Sequence, residues 1–341
     1  MNALHFGFKL IELHLGANPV QFDVRRREDN LKPYRGKKIP ITVTFSCTHR
    51  CNLVCVHCQA ENSNTEKDIP SGRFLELIDE IADAGAVRIG FTGGEPLIRN
   101  DIGKALRRCK ERGIITSLVT NGFLVYKYIE DLKNLSLLFV SLDGDQKVND
   151  AIRGEHSFDK FVEAVELAKK HKIPVAALTT LSSMNFSVYK EMCKIITDLN
   201  IHWLVGVIQT RFTGKTDQDF QDGQLETMLA EITKIKNLRT SKGYIEAVRR
   251  NKTAEKCFAG IGYSIIAPDG MMYPCFPAQF DKTYTGVNLL KKNFGKAYQE
   301  MLLYRNTCDT CALACHLEAN ELYSFGLHNI LQSFKMTQSL S

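Results

Sequence analysis

The chain has 341 residues, of which 44% are hydrophobic and 24% are charged, a composition that argues against disorder. Its length allows two domains or one large α/β domain, at roughly 100–200 residues per domain. The mild net charge of +6 does not call for a nucleic-acid partner, and no apolar run approaches the roughly 18 residues that a membrane-spanning helix needs, so we expect a cytoplasmic protein.

Strand patterns alternate with helical patterns through the middle of the chain. The predicted strands are Ile41–Phe45, Ala86–Phe91, Ile114–Val119, Leu137–Leu142, Pro174–Thr180 and Ile201–Ile208. Several of these runs are continuously apolar, which is typical of parallel strands that are buried on both faces. A helical pattern follows every strand, although a cysteine-rich loop precedes the first helix. Such β/α units form a doubly wound sheet or a barrel, and six units are two short of a closed barrel.

The loop after the first predicted strand contains three closely spaced cysteines. Cys51, Cys55 and Cys58 have C-x3-C-x2-C spacing. Three thiolates on one short loop can hold three irons of a [4Fe–4S] cluster and leave the fourth iron free to bind another molecule. The alternative is a zinc knuckle, or buried thiols that lie close by chance, although a structural zinc site takes four ligands. The odd total of eleven cysteines does not indicate a disulfide framework.

Three later loops carry groups suited to binding an amino acid. They are Gly93, Gly94 and Glu95 after the second strand, Thr120 and Asn121 after the third, and Ser141 and Arg153 around the end of the fourth. Glycines allow backbone to approach a ligand, a carboxylate can receive an ammonium group, and an arginine can bind a carboxylate. Each turn alone is more easily interpreted as structural. However, all of these loops follow strands at the same end of the predicted sheet, where β/α folds build their sites.

Together these motifs resemble the radical S-adenosylmethionine (SAM) superfamily over about residues 41–211. Cys51, Cys55 and Cys58 match the cluster motif of the family, and His57 falls at the position whose ring usually packs on the adenine. The remaining matches are Gly93, Gly94 and Glu95 in the motif that binds the methionyl amino group, Ser141 and Arg153 at positions that usually contact the ribose and carboxylate of SAM, and Thr120 and Asn121 in a Thr-Asn-Gly loop near the same site.

The resemblance implies an enzyme that reductively cleaves SAM to methionine and a 5′-deoxyadenosyl radical. This radical would abstract a hydrogen atom from an unactivated C–H bond of an organic substrate, which could be a peptide, a sugar, a lipid or a tetrapyrrole. The expected partner is a reductant such as flavodoxin or ferredoxin. Arg211, after the sixth strand, is the candidate catalytic residue that would face the substrate, although a polar strand end explains it equally well.

A second group of cysteines lies near the C-terminus. Its members are Cys257, Cys275, Cys308, Cys311 and Cys315. With Gly270, the first two are similar to the opening of SPASM and twitch domains, which carry auxiliary iron–sulfur clusters. The resemblance implies one auxiliary [4Fe–4S] cluster, with the first four cysteines as ligands and Cys315 as the competitor. It would accept an electron, bind substrate or relay electrons, and a zinc ribbon is the alternative.

We therefore predict an α/β fold, a partial (β/α)6 TIM-like barrel with a small C-terminal cysteine-rich iron–sulfur domain. The predicted ranges are an N-terminal extension at 1–40, a radical SAM core at 41–235, a linker at 236–256 and an auxiliary-cluster domain at 257–341. The apolar N-terminus, followed by Arg25–Arg27, allows peripheral membrane contact, although packing on the barrel is the preferred interpretation. The rival function is a non-catalytic iron–sulfur electron carrier or a zinc-stabilised binding protein.

Overall fold

The computed structural model describes residues 41–58, 67–209, 216–250, 257, 259–279 and 284–303. The predicted N-terminal extension at 1–40 lies outside the described residues, as do Arg211, Cys308, Cys311 and Cys315. Within the described residues, no helix has both the length and the apolar character needed to cross a membrane.

A parallel sheet forms the centre of the fold, and its strands are hydrogen-bonded in chain order. The first six strands are β1 (Thr42–Ser46), β2 (Arg88–Thr92), β3 (Ile115–Thr120), β4 (Leu137–Ser141), β5 (Val175–Leu181) and β6 (His202–Val207). These are the strands that the apolar runs predict. The sheet does not close on itself, because β7 rather than β6 pairs with β1. The prediction of an open partial barrel is therefore confirmed.

Helices connect and cover the strands. They are α1 (Ser71–Asp83), α2 (Ile102–Glu111), α3 (Val125–Leu132), α4 (Gln146–Arg153), α5 (Ser157–Lys170), α6 (Tyr189–Asp198), α7 (Gln224–Ile232), α8 (Lys242–Arg249) and α9 (Phe294–Met301). In α1, Phe74, Leu77, Ile78 and Ile81 recur at helical spacing and are fully buried against the sheet. Burial of such an apolar stripe provides most of the stability of a helix in a protein.

Residues 237–244 cover the outer edge of β6. The Trp203 N–H donates to the Asn237 carbonyl (2.9 Å), and the Arg239 N–H donates to the Trp203 carbonyl (2.8 Å). The hydroxyls of Thr240 and Tyr244 each accept a hydrogen bond from a backbone N–H of β6, both at 2.7 Å. The edge strand thus has partners for its polar groups, which prevents further strand pairing. The range predicted as a linker therefore contains a structural edge and the packed helix α8.

At the other edge of the sheet, three strands from the C-terminal part of the chain continue it. They are β7 (Tyr263–Ile266), β8 (Met271–Tyr273) and β9 (Val287–Asn288). β7 is parallel to β1, with Thr42 opposite Tyr263, and the next two strands are antiparallel. The sequence after residue 257 shows no clear periodicity, so these short strands were not predicted. The predicted auxiliary-cluster domain at 257–341 therefore begins with strands that belong to the barrel sheet.

The edge role of Tyr244 leads to a stability prediction. Tyr244→Phe removes the hydroxyl that accepts the Val207 N–H. Because a buried donor without its acceptor costs about 1–3 kcal/mol, we expect the free energy of unfolding in urea to fall by about this amount. Tyr126→Phe is the matched control, since the Tyr126 side chain is 68% exposed and should change stability by less than about 0.5 kcal/mol. Equal losses in the two variants would contradict the edge role.

Candidate functional site

The three-cysteine loop leaves β1 at the carboxyl end of the sheet. Cys51, Cys55 and Cys58 are partly exposed, whereas Cys47 at the start of the loop is buried. The Cys58 N–H donates to the Cys55 carbonyl (3.1 Å), which closes a turn between two of the thiols. Burial raises the pKa of Cys55 to about 11 and also raises the pKa of Cys51. Metal binding must therefore displace protons from these thiols.

Three thiols on one loop fit a [4Fe–4S] cluster that takes three protein ligands. Such a cluster binds each thiolate through a different iron, so the sulfurs need not converge on one point. Within the described ranges, no three His, Cys, Asp or Glu side chains are grouped in a way that could hold a metal ion. Cys51, Cys55 and Cys58 would be the residues that hold the cluster.

Two glycines at the end of β2 bring the cysteine loop into contact with the sheet. The Gly94 N–H donates to the Thr48 carbonyl (2.7 Å), and the Glu95 N–H donates to the Arg50 carbonyl (2.9 Å). A Cβ atom on Gly94 would lie 2.2 Å from the Arg50 carbonyl oxygen, and one on Gly93 would lie 2.6 Å from the Thr48 carbonyl oxygen. Gly93 also has a φ of +131°. Glycine is therefore required here by the cysteine loop itself.

Glu95 joins the β2 loop to the Thr-Asn-Gly loop after β3. Its buried carboxylate accepts hydrogen bonds from the Thr120 hydroxyl (2.9 Å), the Asn121 N–H (2.8 Å) and the Leu97 N–H (3.0 Å). Burial raises the pKa of Glu95 to about 7, although the hydrogen-bond donors favour the charged form. In this structure the carboxylate thus fixes the position of the neighbouring loop.

Asn121 carries this connection on to the cysteines. Its side-chain Nδ2 lies 3.8 Å from Cys51 Sγ and donates to Asn52 Oδ1 at 2.9 Å. The loops after β1, β2 and β3 therefore form one hydrogen-bonded unit. This arrangement brings together Glu95, Thr120, Asn121 and Cys51, which the sequence singled out separately.

Asp143, two residues after the end of β4, is a site residue that the sequence motifs alone do not single out. Its buried carboxylate pairs with the Arg153 guanidinium (Oδ2–Nη2 2.6 Å) and lies 3.5 Å from His57 Nε2. Its other oxygen accepts from the Thr180 N–H at 2.8 Å. Arg153 and His57 are thus held by one carboxylate, and Ser141 is buried two residues before it at the end of β4. The Asp-Gly pair after this strand was the available signal.

Two further elements support the cysteine loop. At the C-terminal end of α4, the Ile152 carbonyl accepts a hydrogen bond from the Val56 N–H (2.8 Å), and the Arg153 carbonyl lies 3.8 Å from Cys55 Sγ. Gln218 is buried and donates from Nε2 to the Val56 carbonyl at 3.3 Å. No pattern in the sequence indicates this role of Gln218, because it depends on the path of the chain after β6.

Arg99 holds both ends of the cysteine loop. Its guanidinium donates to the Cys47 carbonyl (3.1 Å) and to the Ile69 carbonyl (3.0 Å), and it forms a bidentate pair with Asp101 (2.6 and 2.8 Å). It also lies 4.4 Å from the centre of the Phe74 ring. The side chain is only 5% exposed. A planar guanidinium with several donors suits this role, which a lysine cannot reproduce.

Cys257 and Cys275 lie at the opposite end of the sheet. Both pack against Ala259 and Tyr263, together with Ile41 at the start of β1. Because the three-cysteine loop follows the other end of β1, the two groups of cysteines are separated by the length of this strand. At about 3.3 Å per residue, the four steps from Thr42 to Ser46 span roughly 13 Å.

Comparison with known proteins identifies one domain of the chain. Residues 45–199 match the family model described as the radical SAM superfamily. Fe-coproporphyrin III synthase from Methanosarcina barkeri is 32% identical over 169 residues, which cover 48% of this chain and 42% of that protein. The antilisterial bacteriocin subtilosin biosynthesis protein AlbA from Bacillus subtilis is 25% identical over 281 residues, which cover 78% of this chain and 61% of that protein. The aligned part thus spans about half the length of these curated relatives.

Solved structures show the same fold. SuiB from Streptococcus suis, bound to SAM, superposes with a TM-score of 0.66 at 19% identity over 83% of this chain and 72% of that chain. The complex of SuiB with its precursor peptide SuiA gives 0.66 at 18% identity over 88% and 76%. The chain therefore carries a radical SAM domain over residues 45–199, as its motifs predicted. A radical SAM domain implies a [4Fe–4S] cluster and SAM, and it argues against the rival interpretation of a non-catalytic carrier or zinc protein.

The position of Arg99 predicts an effect on metal binding. Arg99→Lys keeps a positive charge but loses the fork that joins the two ends of the cysteine loop. We expect the variant to fold and to lose about 10–100-fold in iron affinity at this loop, measured by iron content after anaerobic reconstitution at limiting iron. Arg108→Lys is the control, because Arg108 pairs with Asp79 on the exposed surface. Equal iron affinity in both variants would show that Arg99 does not support the loop.

The raised pKa of Glu95 predicts a dependence of stability on pH. The folded-state value of about 7 lies above the ordinary value of 4.5, so the fold favours the protonated form. The stability that it contributes is complete below pH 4.5 and is lost as the pH rises to 7, about 3 kcal/mol in all. In the metal-free protein, the difference in unfolding free energy between wild type and Glu95→Gln should fall by this amount. A difference that stays constant between pH 4 and pH 8 would refute the shift, and Glu111→Gln is the exposed control.

Proposed function

We propose that the protein uses SAM to abstract a hydrogen atom from an unactivated C–H bond of an organic substrate. The observation that carries this proposal is the three-cysteine loop, held against the ends of β2 and β3 inside a radical SAM domain. When bound, the cluster and SAM together supply the 5′-deoxyadenosyl radical that abstracts the hydrogen atom. Cys51, Cys55 and Cys58 would hold the cluster, and a flavodoxin or ferredoxin would supply the electron.

For SAM itself we propose that Gly93, Gly94, Glu95, Thr120 and Asn121 form the side that receives its amino group. Glu95, Thr120 and Asn121 already share one hydrogen-bond network beside Cys51, and the Gly94 N–H binds the Thr48 carbonyl of the cysteine loop. Because Glu95 is buried, we expect it to act mainly by fixing the backbone of the neighbouring loop.

On the other side we assign His57 to the adenine, Ser141 to the ribose and Arg153 to the carboxylate. The buried Nε of Arg153 has no hydrogen-bond partner within the described residues. A buried donor of this kind needs an acceptor, and a carboxylate is a fitting one. Asp143 would hold Arg153 and His57 in place for these contacts.

We further propose an auxiliary [4Fe–4S] cluster at the other end of the sheet, on Cys257, Cys275, Cys308 and Cys311, with Cys315 as the alternative ligand. Met301, at the end of α9, lies beside Gly260 near the first two cysteines. Four residues lie between Leu303 and Cys308, and the five Cα–Cα steps can span at most roughly 17 Å, a reach that allows the chain to bring the later cysteines to the same place. Arg211 stays a proposed substrate contact.

A peptide is the substrate class that the relatives favour. AlbA acts in bacteriocin biosynthesis, and SuiB has been solved with a precursor peptide. A tetrapyrrole is the second candidate, because Fe-coproporphyrin III synthase is the relative with 32% identity. An increase in SAM cleavage with candidate precursor peptides, and none with coproporphyrin III, would support the first class.

Cysteine variants test the proposed assignment of the two clusters. With SAM and a reductant under anaerobic conditions, wild type should form 5′-deoxyadenosine, and replacement of Cys51, Cys55 and Cys58 by Ala should abolish it. Replacement of Cys257 and Cys275 by Ala should lower iron from about eight to about four per chain while leaving SAM cleavage measurable. Cys193→Ala is the control and should change neither quantity. Continued SAM cleavage by the triple variant would refute the site.

A further inference from the structure

A tyrosine hydroxyl lies beside one of the two cysteines at the N-terminal end of β1 and β7. Tyr263 Oη is 3.5 Å from Cys257 Sγ, within the range of a hydrogen bond to sulfur. The Tyr263 side chain is 6% exposed and packs with Ala259 against both Cys257 and Cys275. In the free protein either the thiol or the phenol can donate. A sulfur bound to iron has lost its proton, so only the phenol can then donate.

The backbone fixes this contact. Tyr263 is the first residue of β7 and pairs with Thr42 of β1, whose N–H donates to the Gly262 carbonyl at 3.0 Å. The Gly260 N–H lies between two carbonyls, those of Tyr263 (2.9 Å) and Pro274 (3.2 Å). Gly260 has a φ of +78°, and a Cβ there would lie 3.2 Å from Pro274 Cβ. The turn that follows Cys257 is thus tied to the residue just before Cys275.

A hydrogen bond to a cluster sulfur affects the redox equilibrium of the cluster. Reduction adds negative charge that spreads onto the sulfurs, and a donor stabilises this charge more in the reduced state than in the oxidised state. We propose that Tyr263 donates a hydrogen bond to the Cys257 ligand and raises the reduction potential of the auxiliary cluster. This inference rests on the auxiliary cluster of the proposed function. Tyr263 gains and loses no electron. It is a positioning residue that makes the auxiliary cluster a better electron acceptor.

A redox titration of matched variants tests this role. In the full chain with Cys51, Cys55 and Cys58 replaced by Ala, only the auxiliary cluster should remain, at about four irons per chain. In this background, Tyr263→Phe should shift the midpoint potential of the auxiliary cluster to a more negative value. The potential is measured by a redox titration monitored by electron paramagnetic resonance. Tyr298→Phe is the matched control. Tyr298 is a buried tyrosine of the same region whose hydroxyl donates to the Ile261 carbonyl (2.6 Å), and its removal should leave the potential unchanged.

A second variant tests the opposite direction. Fluorotyrosine in place of Tyr263 keeps the ring but is a stronger hydrogen-bond donor, so the potential should shift to a more positive value. If Tyr263→Phe does not assemble its cluster, the potential of the fluorotyrosine variant still tests the hydrogen bond. Iron content distinguishes a failure of the auxiliary cluster from a failure of the hydrogen bond. Absence of iron from the background chain would overturn the auxiliary cluster itself. Normal iron with an unchanged potential in both Tyr263 variants would overturn the hydrogen bond alone.

Discussion

The cysteine loop lies in direct backbone contact with the turn at the end of β2. The Gly94 N–H reaches the Thr48 carbonyl at 2.7 Å, and any side chain at Gly94 would collide with the Arg50 carbonyl. This contact sets where the loop can lie, because both partners are main chain and neither can move aside as a side chain does. Asn121 then meets Cys51, and the end of α4 meets Cys55. The path of the cysteine loop past β2 therefore depends on Gly93 and Gly94.

The main sheet and the three-cysteine loop could be predicted because each leaves a regular pattern in the sequence. A parallel strand buried on both faces is a continuous apolar run, and all five residues of β4 are buried. A helix that packs on the sheet shows the 3.6-residue period, as α1 does. Parallel strands also end at one edge of a sheet, so the four functional loops could be placed together. By contrast, β7, β8 and β9 are four, three and two residues long, which is too short to show a period.

The buried polar contacts could not be predicted in this way. Arg99 binds the carbonyl of Cys47, 52 residues earlier in the chain, and Gln218 binds that of Val56, 162 residues earlier. Such pairs follow from the completed fold and have no local spacing. Arg153 illustrates the same limit. Its residue type indicated a carboxylate partner, but the structure supplies one from within the chain, Asp143, and leaves only part of the guanidinium for a ligand.

The two groups of cysteines lie at opposite ends of β1. We propose that SAM is cleaved at the end that carries the three-cysteine loop. The most direct test is electron–nuclear double resonance of the reduced cluster on Cys51, Cys55 and Cys58, with SAM isotopically labelled at its amino nitrogen. A cluster with one iron open to SAM predicts a hyperfine coupling between the cluster and the labelled nitrogen. Bound SAM without such a coupling would contradict the proposed site.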